Sequence, residues 1–198
     1  MKTHIEFVLD KSGSMYSRIE DVIGGFNSFV RDQRSVPGEL VFSLTVFDDK
    51  VKTIGENLEV PFLDRTNYVP GGNTALLDAV GTRIKALRDK SGCSQCSPEK
   101  VVFVIITDGE ENASKTYKKS EIKEMVEHQR NKHDWQFVYL GADVDAFRDG
   151  TSLGFADHGT FSFNSSDYQK AYGVTGQAIA AYRSGIASSV NLSGGDGK

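Results

Sequence analysis

Long apolar runs separated by polar, glycine-containing turns set the framework of this chain. Ile5–Leu9, Leu40–Phe47, Val101–Thr107 and Trp135–Leu140 are rich in β-branched and aromatic residues. They are continuous rather than alternating, the pattern of strands covered on both faces. Between them, apolar residues recur at helical spacing: Ile19, Val22, Ile23, Phe26, Phe29 and Val30, then Leu77, Val80, Ile84 and Leu87, then Ile122, Met125 and Val126. These predict helices over about 18–33, 75–90 and 120–131. A short helix over 144–153, a strand over 159–163 and a helix over 166–188 follow. Ser17 with Glu20, and Ser166 with Gln169, have capping-box spacing. Val51–Ile54 and Leu58–Leu63 read as a more polar strand. Asp48-Asp49-Lys50 joins it tightly to the second strand, which makes it an antiparallel edge.

Strands alternating with helices predict an α/β fold. The expected architecture is a Rossmann-like three-layer α/β/α sandwich on a mostly parallel sheet of about six strands, one of them an antiparallel edge. Residues 1–190 are read as one domain and 191–198 as a flexible tail.

Composition narrows the functional classes. Of 198 residues, 38% are hydrophobic and 25% charged, ordinary for a soluble globular protein. A net charge of −4 implies no broad basic surface, so nucleic acid is not the expected partner. No signal peptide or membrane-spanning run is evident, and a cytoplasmic location is expected. The two cysteines, Cys93 and Cys96, lie in loop sequence and cannot form a disulfide framework. No histidine lies at zinc-finger spacing from them, so they read as an incidental pair.

The chemistry is expected in the loops after the first and fourth strands. Asp10-Lys11-Ser12-Gly13-Ser14 places a carboxylate and two hydroxyls at alternate positions on a tight turn. Tyr68-Val69-Pro70-Gly71-Gly72-Asn73-Thr74 is an irregular loop before a helix. Thr107-Asp108-Gly109-Glu110-Glu111-Asn112 ends the most apolar strand. In parallel sheets, ligands bind beyond the carboxyl ends of strands where the winding direction switches. Hard oxygen donors there suit a small divalent cation. Two carboxylates and three hydroxyls balance its charge without saturating it.

Asp10-Lys11-Ser12-Gly13-Ser14, Gly71-Gly72-Asn73-Thr74 and Thr107-Asp108-Gly109, in this order and on these elements, resemble the metal-ion-dependent adhesion site of a von Willebrand factor type A domain. The resemblance covers nearly the whole chain. It implies that Ser12, Ser14 and Thr74 supply hydroxyl ligands and that Asp10 and Asp108 act as carboxylates, often through water. It implies Mg2+, with Mn2+ or Ca2+ as replacements. It further implies a partner protein whose Glu or Asp completes the metal shell, an AAA+ ATPase or assembly subunit among the candidates. Asn73 is read as a helix cap, Glu110 and Glu111 as solvated, and Lys115, Lys118, Lys119 and Lys123 as a solvated face. Tyr16, Asn73 and Tyr117 are candidates for the rim.

A non-catalytic protein-binding module is therefore expected. The alternatives are a metal-dependent phosphatase or phosphotransferase using Asp10, and a structural subunit of a multiprotein assembly. A phosphatase of the haloacid dehalogenase type needs a second Asp two residues after the first. Position 12 is Ser, so the general acid is missing.

Overall fold

The computed structural model describes residues 2–56, 62–91, 100–143 and 145–193. The strands are β1 (Lys2–Asp10), β2 (Glu39–Phe47), β3 (Val51–Glu56), β4 (Lys100–Thr107), β5 (Gln136–Ala142) and β6 (Thr160–Phe163). The helices are α1 (Ile19–Ser35), α2 (Leu76–Ser91), α3 (Lys119–His133), α4 (Ala146–Ser152) and α5 (Tyr168–Arg183). One sheet runs β3-β2-β1-β4-β5-β6. All neighbours are parallel except β2 and β3. The expected three layers and antiparallel edge are present.

β1 shows why both faces must be covered. Ile5, Phe7 and Leu9 join the core formed with α1 and α5, where Phe7 packs within 5.2 Å of Phe26 and 5.4 Å of Phe29, ring to ring. Val8, on the opposite face, joins the core under α2 and α3. Glu6 shares that second face and is fully buried. Its carboxylate receives Arg83 from α2 through two bonds, Nε at 2.8 Å and Nη2 at 3.0 Å. Arg83 also donates to Thr53 and Glu56 on β3, each at 3.0 Å. This polar cluster ties the helix to the central and edge strands.

The ends of the elements differ from the sequence reading where local chemistry intervenes. A 3-10 turn, Gly13–Arg18, precedes α1, and the first helical residue is Ile19. The Ser17–Glu20 capping box does not form; Glu20 instead pairs with Arg65. The Ser166–Gln169 box is also absent, since α5 begins at Tyr168 after Asp167. That helix stops at Arg183 rather than near 188, because Gly185 takes a left-handed φ of +75°. The chain then continues to Val190 and Leu192, both buried, with the Leu192 amide donating to the His158 carbonyl at 2.7 Å. α4 is capped by Asp145, which accepts from the Arg148 amide. Most of the expected strand at 58–63, Val144, both cysteines and residues 194–198 lie outside the described residues. Among the described residues, no helix is long and apolar enough to cross a membrane.

Candidate metal centre

The winding direction reverses between β1 and β4: β2 lies on one side of β1, and β4 on the other. Asp10 ends β1, and Asp108 follows β4 directly. Parallel pairing of the two strands brings both carboxylates to the same edge.

The first loop is shaped by Asp10 itself. Its Oδ1 accepts the Ser12 amide at 2.7 Å, folding the turn, and its Oδ2 accepts the Thr107 hydroxyl at 2.6 Å. The buried Tyr68 hydroxyl holds the Asp10 carbonyl at 2.7 Å. The turn sets Ser12 Oγ and Ser14 Oγ 3.1 Å apart. Ser14 Oγ then donates to Asp108 Oδ1 at 2.6 Å, joining the first and third loops.

The second loop is latched to the first through backbone. The Gly13 amide donates to the Gly72 carbonyl at 3.0 Å, and the Gly71 amide to the Lys11 carbonyl at 2.8 Å. Gly72 has φ +70°, a conformation that favours glycine. Thr74, 3% exposed, completes the cluster. A Cβ placed on Gly109 would lie 3.2 Å from Thr74 Oγ1 and 3.8 Å from Ser14 Oγ. Asp10, Ser12, Ser14, Thr74 and Asp108 therefore converge, as the sequence predicts.

The electrostatics of the cluster match its geometry. Burial pushes the Asp10 carboxyl up to about 6, against the lowering effect of its Thr107 and Ser12 bonds. Burial also raises Asp108, partly offset by the Ser14 bond, with Asp143 raising it further and Arg18 lowering it. Two desolvated acids side by side form a strongly cation-seeking centre. No group of three His, Cys, Asp or Glu side chains forms a metal-binding cluster among the described residues. This centre mixes two carboxylates with three hydroxyls, a donor set suited to a hard cation that keeps water. The residues fit such an ion.

The surrounding side chains have more specific duties than the sequence suggests. Asn73 is not the helix cap: Asp49 holds it through its amide at 3.1 Å and its side chain at 2.9 Å. The start of α2 is capped by Glu111, which accepts the Leu77 amide at 2.9 Å. Glu111 also accepts the Ala113 and Ser114 amides and the Ser114 hydroxyl. It is a structural anchor rather than a solvated acid, because α2 and its own loop both aim donors at it. Glu110 remains exposed, beside Arg148. Tyr117 packs against Gly81 of α2 and is not a rim residue; Tyr16, 72% exposed, stands free at the first loop. Lys119 is exposed, as are Lys115, Lys118 and Lys123, and it also borders a cavity.

Replacing Glu111 with Ala leaves four donors without their acceptor. We expect a loss of about 2–3 kcal/mol in urea unfolding. Asn112, in the same loop, accepts the Thr74 amide at 2.9 Å, so metal affinity should fall in parallel.

The chain has the von Willebrand factor type A fold. It superposes on the vWF domain of the type V pili tip protein Mfa5 from Porphyromonas gingivalis with a TM-score of 0.69 and 10% identity, covering 89% of this chain and 94% of that one. Proximal thread matrix protein 1 from the mussel byssus, with a zinc-occupied MIDAS motif, gives 0.66 at 16% identity, covering 90% of this chain and 46% of that one. Manganese-loaded TRAP protein from Plasmodium vivax gives 0.60 at 13% identity, covering 86% and 71%. The chain spans less than half the length of several of these structures, including a VWA2 protein from Sulfolobus acidocaldarius, of which it covers 44%. No protein-family model matches the sequence, and no curated protein matches it.

Proposed function

We propose that this chain is a non-catalytic protein-binding module acting through a divalent cation, Mg2+ foremost, with Mn2+ or Ca2+ able to take its place. Asp10, Ser12, Ser14, Thr74 and Asp108 are the residues assigned to hold it. The observation that carries this reading is the convergence of three hydroxyl side chains with two desolvated carboxylates at the sheet's switch point. The bound cation supplies a Lewis-acidic position open to one further anionic oxygen. A Glu or Asp carboxylate on a partner protein is the proposed occupant. The two solved neighbours with zinc or manganese share the fold, which supports a divalent ion. A partner within a larger assembly, an AAA+ ATPase among them, rests on the sequence resemblance.

The phosphotransferase reading is weaker. Both Asp10 carboxylate oxygens are engaged, one by the Ser12 amide and one by Thr107, which blunts a nucleophile. Ser12 stands where the general acid would be.

Calorimetric titration with Mg2+ or Mn2+ tests the site. Binding should vanish in Asp10→Ala and weaken about tenfold or more in Thr74→Ala, the scale typical of metal-site substitutions. Binding unchanged in both variants would refute the assignment. Turnover of a generic phosphate ester that depends on Asp10 would favour the enzyme instead.

A further inference from the structure

The turn between β2 and β3 supports the metal centre from outside. From sequence, Asp48-Asp49-Lys50 reads as no more than a tight connection, yet it touches both loops that carry hydroxyl ligands. The Phe47 carbonyl accepts the Lys11 amide at 2.7 Å, and the Lys11 ammonium pairs with the Asp48 carboxylate. The Asp48 carbonyl accepts the Ala75 amide at 2.9 Å. The Asp49 carboxylate takes two donors of Asn73, the backbone amide on Oδ2 at 3.1 Å and the side-chain amide on Oδ1 at 2.9 Å. It also fills the space that a Cβ on Gly72 would occupy.

These bonds converge on Thr74. Asp10 and Asp108 are placed by the ends of paired strands, and Ser12 and Ser14 by the turn that Asp10 folds. Thr74 has neither support: it stands between an irregular glycine-containing loop and α2, which begins at Leu76. Three successive peptide groups set its position. Asp49 holds the group before Asn73, and Asp48 holds the group before Ala75. Asn112 holds the one between them through the Thr74 amide. The hairpin turn thus fixes the outer two. Asp49 is exposed, so its side chain adds little to the core. A carboxylate suits position 49 because it offers an acceptor oxygen to each of two donors, whereas an amide offers one.

We propose that Asp49 is a positioning residue of the metal centre: by holding Asn73 at two points, its carboxylate sets where the Thr74 hydroxyl stands toward the cation. The β2–β3 turn is then a fourth loop of the site, one that contributes no ligand. This inference rests on the metal-dependent reading above and adds to it a residue that acts through Thr74.

A double-mutant cycle on the full chain, read by calorimetric titration with Mg2+ or Mn2+ alone, tests it. Asp49→Ala should weaken binding about tenfold, the scale seen when a group behind a metal ligand is removed. Asp49→Asn, which keeps one acceptor oxygen, should lose only about threefold. In a Thr74→Ala background the Asp49→Ala loss should fall below about twofold, since no hydroxyl remains to be positioned. The melting temperature in chelator should move by less than about 4 °C, as for an exposed residue. Asn73→Ala removes one of the two bonds from the other end; it should match Asp49→Asn and gives the same answer if Asp49→Ala unfolds. Unchanged affinity in Asp49→Ala, a loss that Asp49→Asn fails to relieve, or one that persists in full without Thr74 overturns the proposal and leaves the metal centre standing. A wild type that binds neither ion removes the metal reading itself, and this inference with it.

Discussion

Asp10→Asn should abolish divalent-cation binding and, at the same time, make the metal-free protein more stable. The carboxyl's value of about 6 exceeds its ordinary 3.8 because burial disfavours the charge. A group raised on folding contributes stability that is complete below 3.8 and lost as pH climbs through about 6. At neutral pH the folded, metal-free chain therefore carries an ionised acid that it holds less well than the unfolded chain does. Two pKa units correspond to about 3 kcal/mol. Asparagine removes the charge and keeps the shape. Its oxygen can still accept the Ser12 amide. Its NH2 can donate to Thr107, whose hydroxyl turns toward the Gly109 carbonyl 3.2 Å away.

We expect a net gain on the order of 2 kcal/mol in chelator at pH 7, or roughly 4–8 °C in melting temperature. The advantage should shrink to nothing near pH 4. Saturating Mg2+ should raise only the wild type, by about 2.7 kcal/mol at a hundredfold excess over Kd. Thermal melts at pH 4 and 7, with and without Mg2+, check all four values. Equal melting temperatures in chelator across that range would show that Asp10 carries no such strain.

The second large effect concerns the other acid on the same face of β1. Arg83→Ala should destabilise the fold by about 3–5 kcal/mol, since it strands Glu6 as a buried, unpaired charge. Arg83 stays charged although burial opposes it, because its bonds to Glu6 and Glu56 outweigh that cost. The double variant Glu6→Gln with Arg83→Met should recover most of the loss, as it removes both charges and keeps the volume. Urea unfolding of the single and double variants measures the coupling. A single variant within about 1 kcal/mol of wild type would mean that the pair contributes little, as exposed pairs usually do.

The two acids also show what the sequence makes legible. The fold follows from β-branched runs and helical spacing, which dominate Ile5–Leu9 and Val101–Thr107. The metal cluster follows from a motif at strand ends, where the sheet's topology brings Asp10 and Asp108 together. Glu6 interrupts an apolar run, and a lone acid in a central strand is itself a signal of a buried partner. Its partner Arg83, 77 residues away, shows no distinguishing feature on a helix otherwise read from Leu77, Val80, Ile84 and Leu87. Glu111 is similarly hidden, because its role depends on donors from α2 and from its own loop meeting at one point. Helix ends were the least legible: caps depend on single hydrogen bonds, such as that of Asp145, and on glycines such as Gly185.

The latch between the first two loops is made of peptide groups alone, Gly13 to Gly72 and Gly71 to Lys11. Only proline at position 13 or 71 would remove a donor; other side-chain replacements leave both the donors and the acceptors in place. Apart from Gly72, whose left-handed backbone restricts it, the exposed rim can change its residues while the latch persists. Val69, 60% exposed, and Tyr16 are thus free to vary in identity at a fixed position. Such a surface can be diversified by selection to reach new partners, with the chemistry at its centre held constant.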